Sequence, residues 1–110
     1  MSQSDPITFI NRFTQHGSPD EFERIFADVA GFFREQPGFI EFTLLRERGN
    51  EQSYANVARW DSLEALQIAS RHPDFQPHVG ALRRLSTSEA TIYTPRLGYA
   101  SMSNPVPGNG

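Results

Sequence analysis

Apolar and polar residues alternate along four short stretches of the chain. Such alternation predicts β-strands, because successive side chains of a strand point to opposite faces of its sheet. In the third stretch, Tyr54, Asn56, Ala58 and Trp60 share one face, and Val57 lies on the other. We predict strands over residues 7–13, 39–47, 54–60 and 87–94.

Between these strands, apolar residues recur every three or four positions, the spacing of one face of an α-helix. The first helix begins at Ser18-Pro19-Asp20-Glu21, which supplies a cap, a first-turn proline and a capping-box glutamate. Its apolar stripe runs from Phe22 to Phe33. The second helix is predicted to begin with Asp61 as its cap and to stop before Pro73. A shorter helical piece is expected within Phe75–Leu85.

The order β-α-β-β-α-β is that of the ferredoxin-like split β-α-β arrangement. We therefore predict an α+β fold with an antiparallel sheet that is covered by helices on one face only. Residues 1–97 form the predicted domain. Residues 98–110, rich in Gly, Ser, Asn and Pro, are predicted to be a disordered tail.

The uncovered face of the predicted sheet is apolar in part. In the second strand, alternation places Ile40 with Phe42 on one face and Phe39 with Leu45 on the other. The uncovered face thus carries apolar side chains from three strands: Ile10, Phe39 or Leu45, and Val57. Exposed apolar faces of this kind are association sites. We predict a homodimer that packs sheet against sheet.

Composition excludes several classes of function. The 110 residues suffice for one domain, and a net charge of −3 without a basic run argues against nucleic acid as a partner. There is no apolar run long enough to cross a membrane, so no membrane partner is expected. Cysteine is absent, and the three histidines lack metal-ligand spacing, so no metal site is predicted. The polar N-terminus lacks a signal pattern, which favours a cytoplasmic location.

Asn11, Asn56 and Trp60 interrupt otherwise apolar strand faces that the predicted fold brings together. A buried amide without a hydrogen-bond partner costs about 1–3 kcal/mol. Each asparagine therefore has a structural partner or faces a cavity in which a ligand is the partner. Taken singly, Asn11 is as readily a core amide paired with the backbone as a functional residue. A single tryptophan such as Trp60 is more often a core residue than a catalytic one. The three together favour a cavity.

Several segments carry a resemblance to a known family. They are Phe9-Ile10-Asn11-Arg12-Phe13, Gln36-Pro37-Gly38-Phe39, Thr43-Leu44-Leu45-Arg46-Glu47-Arg48, Asn56-x-x-x-Trp60 and Leu85-Ser86-Thr87-Ser88-Glu89. From about Ile7 to Arg96, the chain resembles the antibiotic biosynthesis monooxygenase superfamily of dimeric α/β barrels. Within it, the chain looks most like the cofactor-independent anthrone oxygenases of aromatic polyketide pathways, of the nogalamycin type.

The resemblance implies that molecular oxygen oxidises a polyketide anthrone to an anthraquinone, without metal, flavin or haem. It assigns catalysis to Asn11, Asn56 and Trp60. Their N–H groups suit stabilisation of an enolate or a nascent peroxide. The proton acceptor is left open between water and a histidine such as His72 or His78. The side chains expected to contact the substrate are Phe26, Phe33, Leu66, Phe75 and His78.

Three other functions compete. The haem-degrading branch of the same superfamily shares Asn11, but its haem-ligating histidine falls near Val79 and its tryptophan near Ala69. A non-oxidative isomerase or cyclase fits the same fold. So does a non-catalytic module that binds a small ligand.

Overall fold

The computed structural model describes residues 5–100, which form four strands and three α-helices. In chain order these are β1 (Ile7–Gln15), α1 (Pro19–Phe33), β2 (Phe39–Arg46), β3 (Ser53–Trp60), α2 (Leu63–Ser70), α3 (Gln76–Leu85) and β4 (Ser86–Tyr93). A single 3₁₀ turn, Pro73–Phe75, joins α2 to α3.

The four strands form one antiparallel sheet in the order β2-β3-β1-β4. This is the predicted split β-α-β arrangement, and the α+β prediction is confirmed. β1 and β3 lie at its centre, paired so that Asn11 stands opposite Asn56 and Phe9 opposite Ala58. Residues opposite each other point to the same face, so the two amides lie side by side.

Helix starts follow the sequence signals with one exception. Ser18 caps α1 as predicted, and its Oγ accepts a hydrogen bond from the backbone N–H of Glu21 at 3.1 Å. The prediction that Asp61 caps α2 is wrong, because Ser62 accepts from the N–H of Ala65 at 3.0 Å. The backbone N–H of Asp61 instead donates to the carbonyl of Gly38 at 2.8 Å, which holds Asp61 to the loop before β2.

An irregularity in β2 changes which side chains face the helices. The pairing with β3 shifts between Phe39 and Glu41, so Phe39 stands opposite Trp60 and Phe42 opposite Ala58. Both phenylalanines therefore face the helices, and Ile40 is left 43% exposed. The prediction that Phe39 shares a face with Leu45 and not with Phe42 is wrong, because a bulge breaks strict alternation.

Two clusters of buried side chains fill the space between sheet and helices. One contains mainly aromatic residues, with Phe13, Phe22, Phe26 and Tyr54 among them. The other surrounds Trp60 and consists of Ile7, Ala58, Leu66 and Ala69 beside the indole. Phe33 and Phe42 pack against both clusters.

The opposite face of the sheet is not covered by any element of residues 5–100. It includes Leu45, which is 49% exposed, and the partly exposed Ile10 and Val57. Among these residues, no helix is both long and apolar enough to cross a membrane. Within residues 5–100, regular structure ends at Tyr93. Most of the predicted tail, residues 101–110, lies outside the described residues.

Candidate active site

A small cavity lies between the sheet and the helices, where the two core clusters meet. Its wall is apolar except for one carboxamide and one indole. The lining residues are Phe9, Phe26, Ala30, Phe33, Phe39, Phe42, Asn56, Ala58, Trp60 and Leu66. An amide in such a wall is a directional group in surroundings that exclude water.

β3 supplies the polar part of the wall, because every second side chain of the strand points to the same face. Asn56, Ala58 and Trp60 follow one another along the face that points to the helices. The methyl group of Ala58 leaves a gap between the amide and the indole. Trp60 is 1% exposed, and the rings of Phe33 and Phe39 meet it edge-on at centroid distances of 5.5 and 5.4 Å. These contacts fix the orientation of the indole.

Asn11 and Asn56 are opposite residues of β1 and β3. The Oδ1 atom of each is buried and has no hydrogen-bond partner within residues 5–100. Asn56 lines the cavity directly, and Asn11 lies beside it on the neighbouring strand. A buried amide oxygen without a protein partner is an acceptor free to bind a ligand or a water molecule, and at Asn56 that acceptor belongs to a residue of the cavity wall.

The cavity measures about 20 Å³, which is room for roughly one water molecule. Small-molecule pockets usually enclose about 300–1,000 Å³. A polycyclic ligand therefore enters only if side chains of the wall move. Phenylalanine rings form half of that wall, and each ring can rotate about the bonds of its side chain.

The predicted substrate contacts divide into two groups. Phe26, Phe33 and Leu66 line the cavity. Phe75 does not; it lies behind Phe33, with 4.8 Å between ring centroids. His78 also lies outside the lining and packs near Phe32, at 6.2 Å.

The histidines offered as proton acceptors lie away from the cavity. His72 packs against Phe32 with 5.4 Å between ring centroids, and its Nδ1 accepts a hydrogen bond from the N–H of Asp74 at 3.0 Å. Neither His72, His78 nor His16 is among the lining residues of the part of the chain described here. The same part contains no cluster of three or more residues able to hold a metal ion.

Sequence reasoning missed a polar group next to the cavity. The hydroxyl of Tyr54 donates to Oε2 of Glu23 at 2.6 Å, and Nη1 of Arg46 lies 3.7 Å from the same oxygen. Burial of the phenol, and then its bond to Glu23, raise the pKa of Tyr54 above the usual 10.0. The alternation of β3 places Tyr54 on the same face as Asn56, and this pattern could have indicated that its hydroxyl lies near the site.

Sequence and structure comparisons both give clear matches. Residues 6–81 match the family described as antibiotic biosynthesis monooxygenase. The chain is 53% identical over 93 residues to deoxynogalonate monooxygenase of Streptomyces nogalater. This match covers 84% of this chain and 79% of the relative. It is 36% identical over 76 residues to a mycobilin-producing heme oxygenase of Mycobacterium tuberculosis, covering 68% and 72%.

Among solved structures, SnoaB, a cofactor-independent oxygenase of Streptomyces nogalater, matches with a TM-score of 0.86 and 50% identity. The match covers 88% of this chain and 99% of that one. A protein of Caulobacter crescentus matches with a TM-score of 0.76 at 19% identity, covering 87% and 94%. At that identity the second match concerns the fold alone.

Proposed function

The chain belongs to the antibiotic biosynthesis monooxygenase family, and we propose that it uses molecular oxygen to oxidise a polyketide anthrone to an anthraquinone. The observation that carries the proposal is the pair of adjacent amides, Asn11 and Asn56, beside a cavity walled by Trp60 and phenylalanines; their Oδ1 atoms have no partner within residues 5–100. Similarity to a cofactor-independent oxygenase supports a reaction without a metal or an organic cofactor.

The chemistry suits a protein that supplies only hydrogen bonds and a dry cavity. Loss of one proton from the anthrone gives an anion that is stabilised by aromatisation. The anion passes one electron to oxygen, and the two radicals combine to a peroxide. The peroxide anion takes up a proton, and loss of water then leaves the quinone, so one oxygen atom enters the product and the other leaves as water. The substrate itself is the reductant.

We assign the hydrogen bonds of this reaction to three side chains. Asn56 and Trp60 orient and stabilise the enolate or peroxide oxygen, and Asn11 supplies a second amide. Donors fixed where negative charge develops act as an oxyanion hole does. Asparagine is not a base at neutral pH, and no histidine of the described residues lines the cavity, so water is the proton acceptor that we retain.

The test is turnover of dithranol, a simple anthrone, by metal-free protein with and without oxygen. We expect one oxygen consumed per quinone formed in air, and no quinone under nitrogen. An isomerase or cyclase would convert its substrate without consuming oxygen, and a binding module would show no rate above the buffer. Either result would overturn the proposal.

Similarity to the heme oxygenase supports the competing function. Val79 occupies the approximate position of the haem-ligating histidine and cannot bind iron. The neighbouring His78 packs near Phe32, outside the cavity. We expect haem titration to give no Soret shift. Saturable haem binding followed by haem breakdown would favour the alternative.

We also propose that the enzyme is a homodimer. The uncovered sheet face presents Leu45 together with partly exposed Ile10 and Val57, and a second copy would cover this apolar surface. We retain two further predictions as proposals: a domain that spans residues 1–97 and a cytoplasmic location.

A further inference from the structure

A second open space lies beside the cavity and is separated from it by two aromatic rings. This groove of about 330 Å³ runs between α1 and the edge strand β2. Its lining residues are Glu23, Phe26, Ala27, Phe42, Leu44, Arg46 and Tyr54. Phe26 and Phe42 also line the cavity, and their ring centroids are 5.8 Å apart. These two side chains are the partition between the groove and the cavity.

The geometry points to the groove as the outer half of the substrate site, with Phe42 as the movable partition and Glu23, Arg46 and Tyr54 as a polar subsite. This inference rests on the proposed function, because it concerns how the same substrate is held. The subsite takes the hydroxyl-bearing edge of a polycyclic aromatic substrate, and Asn56 and Trp60 hold the reacting carbon at the other end.

Volume is the first argument. The cavity alone holds about one water molecule, whereas the groove has the size of a small ligand pocket. Rotation of the partly exposed Phe42 joins the two without moving the backbone. Another open pocket of about 360 Å³ lies near Gly38 and Ala65, but none of its lining residues also lines the cavity. The groove is therefore the space that the cavity can gain most directly.

The chemistry of the groove is the second argument. Glu23 offers carboxylate oxygens as acceptors and Arg46 offers N–H donors, with 46% and 48% of their side chains exposed. Their separation of 3.7 Å leaves hydrogen-bonding capacity on both. A phenolic hydroxyl can donate to the carboxylate while it accepts from the guanidinium. The balanced charge of the pair suits a neutral hydroxyl better than a free anion.

Blocking the groove tests the volume argument. Ala27→Phe places a ring in the groove from α1, and Asp28→Phe adds the same ring at the next exposed position as the control. Binding of a dihydroxyanthraquinone, which cannot be oxidised further by this reaction, is followed by quenching of Trp60, the single tryptophan. We expect Ala27→Phe to raise Kd at least about tenfold, and the control to change it less than about twofold.

The outcomes separate this inference from the proposed function. Saturable quenching with the same Kd in wild type and Ala27→Phe would overturn the groove and leave the cavity intact. Absence of saturable quenching in the wild type would overturn both. These measurements need no turnover, so a defect in oxygen chemistry cannot imitate either result.

The polar subsite is tested by substrate preference. Arg46→Gln removes the guanidinium of the groove, and Arg48→Gln removes a nearby exposed one that does not line it. We expect Arg46→Gln to lower kcat/KM for dithranol relative to unsubstituted anthrone at least about fivefold, mainly through KM. The control keeps the wild-type ratio. An unchanged ratio in Arg46→Gln would overturn the subsite, because a purely structural arginine would affect both substrates equally.

Discussion

Asn11 and Asn56 stand opposite each other on the two central strands, and neither Oδ1 atom finds a hydrogen-bond partner in the described part of the chain. Two adjacent buried amide oxygens without partners lower the stability of the fold. Their position beside the cavity gives them a role when a ligand is bound. Activity and stability should therefore respond in different ways to their removal.

Asn56→Ala is expected to lower the rate of dithranol oxidation at least about tenfold, or ~1.4 kcal/mol of barrier. We expect little change in Tm, because the Oδ1 atom of Asn56 accepts no hydrogen bond within residues 5–100. Oxygen consumption and thermal unfolding measure the two effects. Asn50→Ala is the control, since Asn50 accepts from the N–H of Gln52 in an exposed turn. A wild-type rate in Asn56→Ala would remove this residue from the mechanism.

Gly38→Ala is expected to destabilise the protein more than Gly49→Ala. Both glycines have a positive φ, of 89° and 85°, so both substitutions introduce backbone strain. Only at Gly38 would the new Cβ collide, at 2.5 Å from Cβ of Ala65 and 2.7 Å from Oδ1 of Asp61. We expect an extra loss of about 1–3 kcal/mol in urea unfolding. Equal losses of unfolding free energy in Gly38→Ala and Gly49→Ala would show that the loop at Gly38 makes room for the new Cβ without strain.

The raised pKa of Tyr54 predicts a loss of stability in alkaline solution. The unfolded chain releases the phenolic proton first, so it binds fewer protons than the folded chain as the pH passes 10.0. The contribution of Tyr54 is complete below that pH and disappears as the pH rises through the folded-state pKa. Between about pH 8 and pH 10.5, the wild type should lose more unfolding free energy than Tyr54→Phe.

Urea unfolding at both pH values completes the comparison. The exposed Tyr93 and Tyr99 are present in both proteins, so their titration cancels in the difference. If the unfolding free energies of wild type and Tyr54→Phe fell equally with pH, burial and the bond to Glu23 would not raise the pKa of Tyr54.

Leu45→Asp is expected to dissociate the proposed homodimer. A carboxylate in the middle of an apolar interface loses its hydration without gaining a partner. Ile68→Asp is the control, because Ile68 is 58% exposed on α2, away from the uncovered sheet face. Light scattering after size exclusion gives the mass of each variant. A wild type that elutes as a monomer would contradict the proposal, as would a Leu45→Asp variant that remains dimeric.

Local signals predicted most of the fold because each depends on neighbouring residues. Ser18 and Pro19 mark the start of α1, and the repeat of β3 places Asn56 and Trp60 on one face. The bulge at Ile40 was missed, since an extra residue in a strand depends on pairing with its neighbour. The cap at Ser62 was missed because Asp61 and Ser62 are both good caps, and the bond from Asp61 to Gly38 decides between them.

The candidate site was harder to predict wherever it depends on long-range contacts. Strand pairing brought Asn11 to Asn56 as the split β-α-β order implies. The bond between Tyr54 and Glu23 joins residues that are 31 positions apart, and no local pattern encodes it. His78 and Phe75 stay predicted substrate contacts. In the structure Phe75 packs against Phe33 and His78 lies near Phe32, and neither contact follows from a local pattern.

The closed state of the cavity bears on which molecules the protein admits. Five phenylalanines and Trp60 supply most of its wall, and space for a ligand is gained when these flat rings turn or move apart. An opening made in this way is a slit and not a sphere. We therefore expect the cavity to admit planar fused-ring compounds and to exclude compact aliphatic molecules of equal volume, which are thicker.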